Sequence, residues 1–127
     1  MTPSDGRPRP GKSRRTIGAQ FEQRAAEYFQ KLGFEVIEKN WQAGHREIDL
    51  IIKKDRLVVF VEVKSSSSAS FGHPAERVDK TKKDRLISAA QQYLLEKNIE
   101  GVDLRFDVVT FAGGRLEHFP DAFEVGQ

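Results

Sequence analysis

Residues 46–64 read REIDLIIKKDRLVVFVEVK, and the fold follows from how this stretch divides. Both halves are rich in Ile, Leu, Val and Phe, residues that fit a pleated, half-buried surface. Lys54-Asp55 separates them, a break short enough to return one strand along the other as an antiparallel hairpin. The apolar run Val58 to Val61 reads as a buried strand, yet it ends in Glu62 and Lys64 and passes into Ser65 to Ser68. Strand side chains alternate between faces, so Glu62 and Lys64 project the same way, about 6.5 Å apart along the strand. Glu47 and Asp49 share a face of the preceding strand by the same rule, and pairing around the turn brings Asp49 within reach of Glu62.

Two carboxylates converging at the end of a buried hairpin repel each other unless a proton, a lysine or a divalent cation neutralises them. The chain has no cysteine, which leaves oxygen and imidazole as metal donors. Oxygen donors suit Mg²⁺ or Mn²⁺, held by one or two carboxylates, water and a backbone carbonyl such as that of Val63. Such a cation stabilises charge growing on an attacked phosphodiester, and a neighbouring lysine assists. The plainer alternative is that Glu62 and Lys64 are charges where a strand leaves the core, with Asp49 paired to a lysine.

Working outward, Ile17, Phe21, Ala25, Tyr28, Phe29 and Leu32 recur every three or four residues. That spacing predicts an amphipathic helix with Thr16 as its N-cap and Gly33 as its end. FEVIEKN (34–40) alternates as a first strand. Beyond the hairpin, Gly72 and Pro74 mark Ser65 to Arg77 as a loop. Leu86, Ala90, Tyr93 and Leu94 share the buried face of a second helix from Asp79 to Lys97. LRFDVVTF, a Gly113-Gly114 turn and RLEHF complete the order αβββαββ, a mixed sheet covered by helices.

A length of 127 residues suits one domain. With 38% hydrophobic and 31% charged residues the chain reads as soluble and globular, and no apolar run approaches the ~18 residues of a membrane span. The first residues lack the apolar core of a secretory signal; with the missing cysteines, this sets a cytoplasmic expectation. The net charge of +2 is uneven: residues 1–16 hold five Lys or Arg and one acid. Pro3, Pro8, Pro10, Gly6 and Gly11 among those arginines predict a disordered basic tail over 1–15, followed by a single domain over 16–127.

Arg77, Lys80, Lys82, Lys83 and Arg85 crowd the start of the second helix, where the helix dipole disfavours cations. They are a candidate phosphate-gripping patch; the alternative is a solvated face partly balanced by Asp79 and Asp84. His45, His73 and His118 have no metal-ligand spacing, and Trp41 at a strand end reads as packing.

In their order and spacing, REIDLI, VVFVEVK, FGHPAERVDKTKKDRL and RFDVVTF resemble the YraN family of small bacterial proteins. That family is similar to archaeal Holliday-junction resolvases and belongs to the restriction-endonuclease-like PD-(D/E)xK superfamily. The resemblance covers about residues 17–125 and implies an α/β fold with an αβββαβ core, a mixed central sheet flanked by helices. It implies a metal-binding role for Asp49, the second carboxylate at Glu62, the motif lysine at Lys64 and the first-helix glutamate at Glu22. Ala26 and Phe29 lie four and seven residues beyond Glu22, which sets it at the edge of the buried stripe.

Arg46 stands where the family usually has glycine and adds a potential phosphate contact. Ser65 to Ser68 stand where the family commonly has basic residues. The implied activity is Mg²⁺-dependent or Mn²⁺-dependent hydrolysis of structured or branched DNA, with a homodimer serving paired cuts. A non-catalytic nucleic-acid-binding module on the same fold and a protein-interaction domain are the competing readings.

Overall fold

The structure is a computed structural model that describes residues 14–66 and 80–123. The expectations for the basic tail, for most of the Ser65 to Arg77 loop, and for His73, Arg77 and Asp79 lie outside the described residues. The elements are α1 (Arg14–Lys31), β1 (Glu35–Ala43), β2 (Arg46–Lys54), β3 (Leu57–Ser66), α2 (Lys80–Glu96), β4 (Asp103–Ala112) and β5 (Arg115–Phe119). One five-stranded sheet has the order β1-β2-β3-β4-β5. Only β3 and β4 run parallel, joined across α2; the other neighbours are antiparallel. This is the mixed α/β architecture with an αβββαβ core that the sequence implies.

The sheet separates two cores. Ala25, Ala26 and Phe29 of α1 pack with Leu50, Ile52, Val59, Val61, Val109 and Phe111 on one face. Leu86, Ala89, Ala90 and Tyr93 of α2 pack with Ile51, Val58, Phe60, Phe106 and Val108 on the other. Val58 to Val61 are thus buried on both sides, at most 1% exposed, and each such side chain contributes about 1.5–3 kcal/mol. That burial offsets the cost of ending the strand in charged residues. Trp41 packs edge-on against Tyr93, ring centres 5.2 Å apart, which fits its reading as a packing residue.

Turn chemistry sets the strand ends. The β2–β3 turn is Asp55-Arg56 rather than Lys54-Asp55, because Lys54 still pairs with Leu57 and Asp55 takes the positive φ of 54°. Aspartate tolerates that left-handed backbone better than lysine does. Gly113 and Gly114, both at positive φ, turn β4 into β5 as the sequence predicts. α1 ends in a Schellman motif: the Gly33 N–H donates to the Gln30 carbonyl and the Phe34 N–H to the Phe29 carbonyl, each 3.0 Å. Phe34 also stacks edge-on against Phe29.

Three element boundaries differ from expectation. β3 continues through Ser65 and Ser66, expected to open the loop, because they pair with Phe111 and Ala112 of β4. α1 begins at Arg14, which puts Thr16 inside the helix rather than at its cap; arginine is the stronger helix former. β1 runs on to Ala43 because Trp41, Gln42 and Ala43 pair with Ile48, Glu47 and Arg46. Among the described residues no helix is long and apolar enough to cross a membrane.

Candidate active site

The site forms where the β2–β3 ladder stops. Main-chain pairing reaches Leu50 with Val61 and no further. One residue on, the Asp49 side chain takes over, its Oδ2 accepting the Val63 N–H at 2.8 Å. Strict alternation also fails here: Ile48 packs with Ile51 in the α2-side core, while Leu50 and Ile52 face α1. The slip turns Asp49 to where carboxylates from both sides of the sheet act on it. Burial first, then the charges of Glu62, Glu22 and Glu47, push its carboxyl up to about 8 against the pull of the Val63 hydrogen bond.

Glu22 of α1 stands behind Asp49. Its carboxyl is raised by burial, and hydrogen bonds with Asn40 and Asp49 oppose the shift. Asn40 sits at a φ of 52° within β1. Glu62, 8% exposed, lies in direct contact with Lys82 through Oε2, and the Lys64 ammonium is 3.9 Å from the same oxygen. Burial, followed by the positive charge of Lys82, lowers the Lys64 ammonium. Burial acts the same way on Lys82, but the hydrogen bond and charge of Glu62 outweigh it and raise that ammonium.

Two clefts meet at Asp49 and Glu47. One, about 220 Å³, opens toward α2 and adds His45, Arg46, Glu62, Lys82, Arg85 and Leu86 to its walls. The other, about 690 Å³, opens toward α1 and is walled by Gly18, Ala19, Glu22, Asn40 and Gln42. The fold therefore gathers Asp49, Glu62, Lys64, Glu22, Arg46, Lys82 and Arg85. It does not bring Lys80 or Lys83 to these clefts: Lys80 pairs with Asp84 at 3.2 Å, and Lys83 lies over the Phe123 ring, 5.7 Å from its centre. Of the cationic side chains described on α2, the helix turn carries Lys82 and Arg85 to the cleft wall. Val63 enters the site through its N–H.

The donor set suits a hard divalent cation in chemistry, being carboxylate oxygen with no sulfur and a surplus of negative charge around Asp49. In the arrangement described, no group of three or more His, Asp or Glu side chains among the described residues is gathered closely enough to hold an ion. Glu62 faces ammonium groups, so a cation shared with Asp49 requires the Glu62 carboxylate to turn from them.

Sequence reasoning passed over Asn40, Gln42 and His45 as parts of the site. It also missed a buried network on the α1 side of the sheet. Asp107, 1% exposed, accepts from Arg105 Nε and Nη2 at 2.8 and 2.9 Å and from the Asp121 N–H at 3.0 Å. His118 Nε2 lies 2.7 Å from Asp107 Oδ2, and His118 Nδ1 lies 3.0 Å from the Tyr28 hydroxyl. A neutral His118 therefore donates from Nε2 to the carboxylate and accepts the Tyr28 O–H at Nδ1.

Residues 21–111 match the model of a family described as "Uncharacterised protein family UPF0102". The chain belongs to this family. It is the YraN family that the short motifs resemble, and the matched region runs from Phe21 of α1 to Phe111 of β4, taking in every gathered site residue. A UPF0102 protein of Sulfurihydrogenibium sp. (strain YO3AOP1) is 38% identical over 108 residues, covering 85% of this chain and 94% of that one. A UPF0102 protein of Chloroherpeton thalassium is 45% identical over 93 residues, covering 73% and 72%. One from Myxococcus xanthus is 34% identical, covering 89% and 93%.

Proposed function

We propose that this UPF0102 protein is a cytoplasmic, divalent-cation-dependent endonuclease acting on structured or branched DNA. One observation carries the reading: Asp49 and Glu62, on adjacent strands and coupled by charge, border a cleft walled by Arg46, Lys82 and Arg85. Asp49 and Glu62 would hold Mg²⁺ or Mn²⁺, with Glu22 supporting Asp49 from behind. When bound, the cation supplies Lewis-acid stabilisation of charge on the phosphodiester.

The chain's own residues do the rest. Arg46 and Arg85 bind backbone phosphates on either side of the cleft. Lys64 is tied to the same strand as Glu62 and presents an ammonium to the reacting phosphate. Its lowered proton affinity eases transfer of that proton to a departing oxygen. Two copies of the chain would be needed to cut both strands of a junction.

The contact between Lys82 and Glu62 favours a second reading, a nucleic-acid-binding module whose ion pair has replaced the metal. Calorimetric titration of Mg²⁺ and Mn²⁺ into the wild type and Asp49→Asn, followed by incubation with labelled four-way-junction, flap and linear DNA, separates the two. Metal uptake and cleavage, both lost in the variant, are expected of the nuclease. Salt-sensitive DNA binding with neither uptake nor cleavage would leave the module. Cleavage undiminished by Asp49→Asn would overturn the catalytic assignment.

A further inference from the structure

We propose that Lys82 is the resident counter-ion of Glu62, which a divalent cation displaces when it binds, so that metal uptake moves the Lys82 ammonium off the carboxylate and into the basic cleft. The inference rests on the metal-dependent reading and adds to it the exchange by which the site loads.

The geometry gives one carboxylate oxygen two cations. Glu62 Oε2 is in contact with Lys82 Nζ and 3.9 Å from Lys64 Nζ. A metal on the same carboxylate would place three positive centres around one buried group, and like charges that close repel strongly where water screens poorly. One ammonium has to leave. Lys64 shares β3 with Glu62 and its side chain is only 18% exposed. Lys82 reaches in from the first turn of α2 and its side chain is 42% exposed. It is the cation with solvent to move into, and it already lines the cleft with Arg46 and Arg85. A lysine stem pivots readily, having four rotatable bonds and a compact head.

In the metal-free protein, Lys82 thus does the work of the cation. It sits on the Glu62 carboxylate in the cleft that Asp49 also lines, and offsets part of the negative charge the two acids bring together.

The test is Mg²⁺ titration by calorimetry of the wild type, Lys82→Met and Lys82→Arg, with retention of the fold checked by circular dichroism. Amine labelling of Lys82, read by mass spectrometry, is measured on the wild type with and without saturating Mg²⁺. Removing the competing charge is expected to tighten Mg²⁺ binding roughly three- to tenfold in Lys82→Met. Lys82→Arg, which keeps the charge, should bind no more tightly than the wild type, and Mg²⁺ should speed labelling of Lys82. Equal or weaker Mg²⁺ binding by a folded Lys82→Met, or labelling of Lys82 unmoved by bound Mg²⁺, would overturn the exchange and leave the nuclease reading standing. No Mg²⁺ uptake by the wild type or by either variant would overturn both.

Discussion

Asp49 is a carboxyl group held where its charge is costly. Its folded value of about 8 lies above the ordinary 3.8 because burial and three neighbouring acids favour the protonated form. The folded state therefore binds more protons than the unfolded chain between these two values. Stability falls as pH rises through that window and levels off above it. Asp49→Asn removes the penalty and should stabilise the metal-free protein by up to about 3 kcal/mol at pH 8–9 and little at pH 4; urea denaturation at both pH values measures it. Asp107 is the opposite case. Burial opposes its ionisation, but the bonds from His118, Arg105 and the Asp121 N–H outweigh it and hold the carboxyl below its usual value. Its contribution is present above the ordinary 3.8 and is lost as pH falls through the lower folded value. Asp107→Ala deprives a half-buried guanidinium, an imidazole and a main-chain N–H of their shared buried acceptor and should cost about 1–3 kcal/mol. Thermal melts at pH 7 would show it as a clear drop in Tm.

Two glycines in or next to α1 should respond in opposite directions. Gly33 ends the helix at a φ of 96°, and a Cβ there would meet Lys54 Nζ at 3.3 Å. Gly33→Ala should destabilise by about 1 kcal/mol through backbone strain. Gly18 lies within the helix and a Cβ there would meet nothing within 4 Å, so Gly18→Ala should stabilise by roughly 0.5–1 kcal/mol from helix propensity alone. Chemical denaturation of both variants tests the pair. The helices also show what a residue pattern conveys. The apolar spacing of α2 places Leu86, Ala90 and Tyr93 in the core as observed, yet spacing alone does not say which of five cationic residues turns toward a strand end.

At the scale of the molecule, the sheet brings β2 and β3 to one edge of the cleft and α2 to the other, so a cationic wall faces an acidic floor. Arg46 of β2 and Arg85 of α2 line that cleft from separate elements. Replacing both with serine should weaken DNA binding and make the dependence of log K on log salt shallower by roughly 2, one phosphate contact for each arginine. Fluorescence anisotropy across a salt series reads both effects. Light scattering with and without junction DNA tests the pairing of two copies. A complex holding two chains per junction is expected, and one chain per junction would count against paired cutting.

The sequence by itself determined the elements, the β2–β3 hairpin and the convergence of Asp49 with Glu62. These are local properties, set by period-2 and period-3.6 patterns and by a turn of two residues; the element order implied the mixed sheet, and the family resemblance added the part expected of Glu22 on α1. Tertiary structure alone decided that Lys82 contacts Glu62, that Lys80 and Lys83 do not reach the cleft, that Asn40 meets Glu22, and that Asp107, His118 and Tyr28 form one buried network. Tyr28 and His118 are 90 residues apart in the chain. No periodicity reaches across that distance, because their contact depends on how α1 and β5 seat against the same face of the sheet.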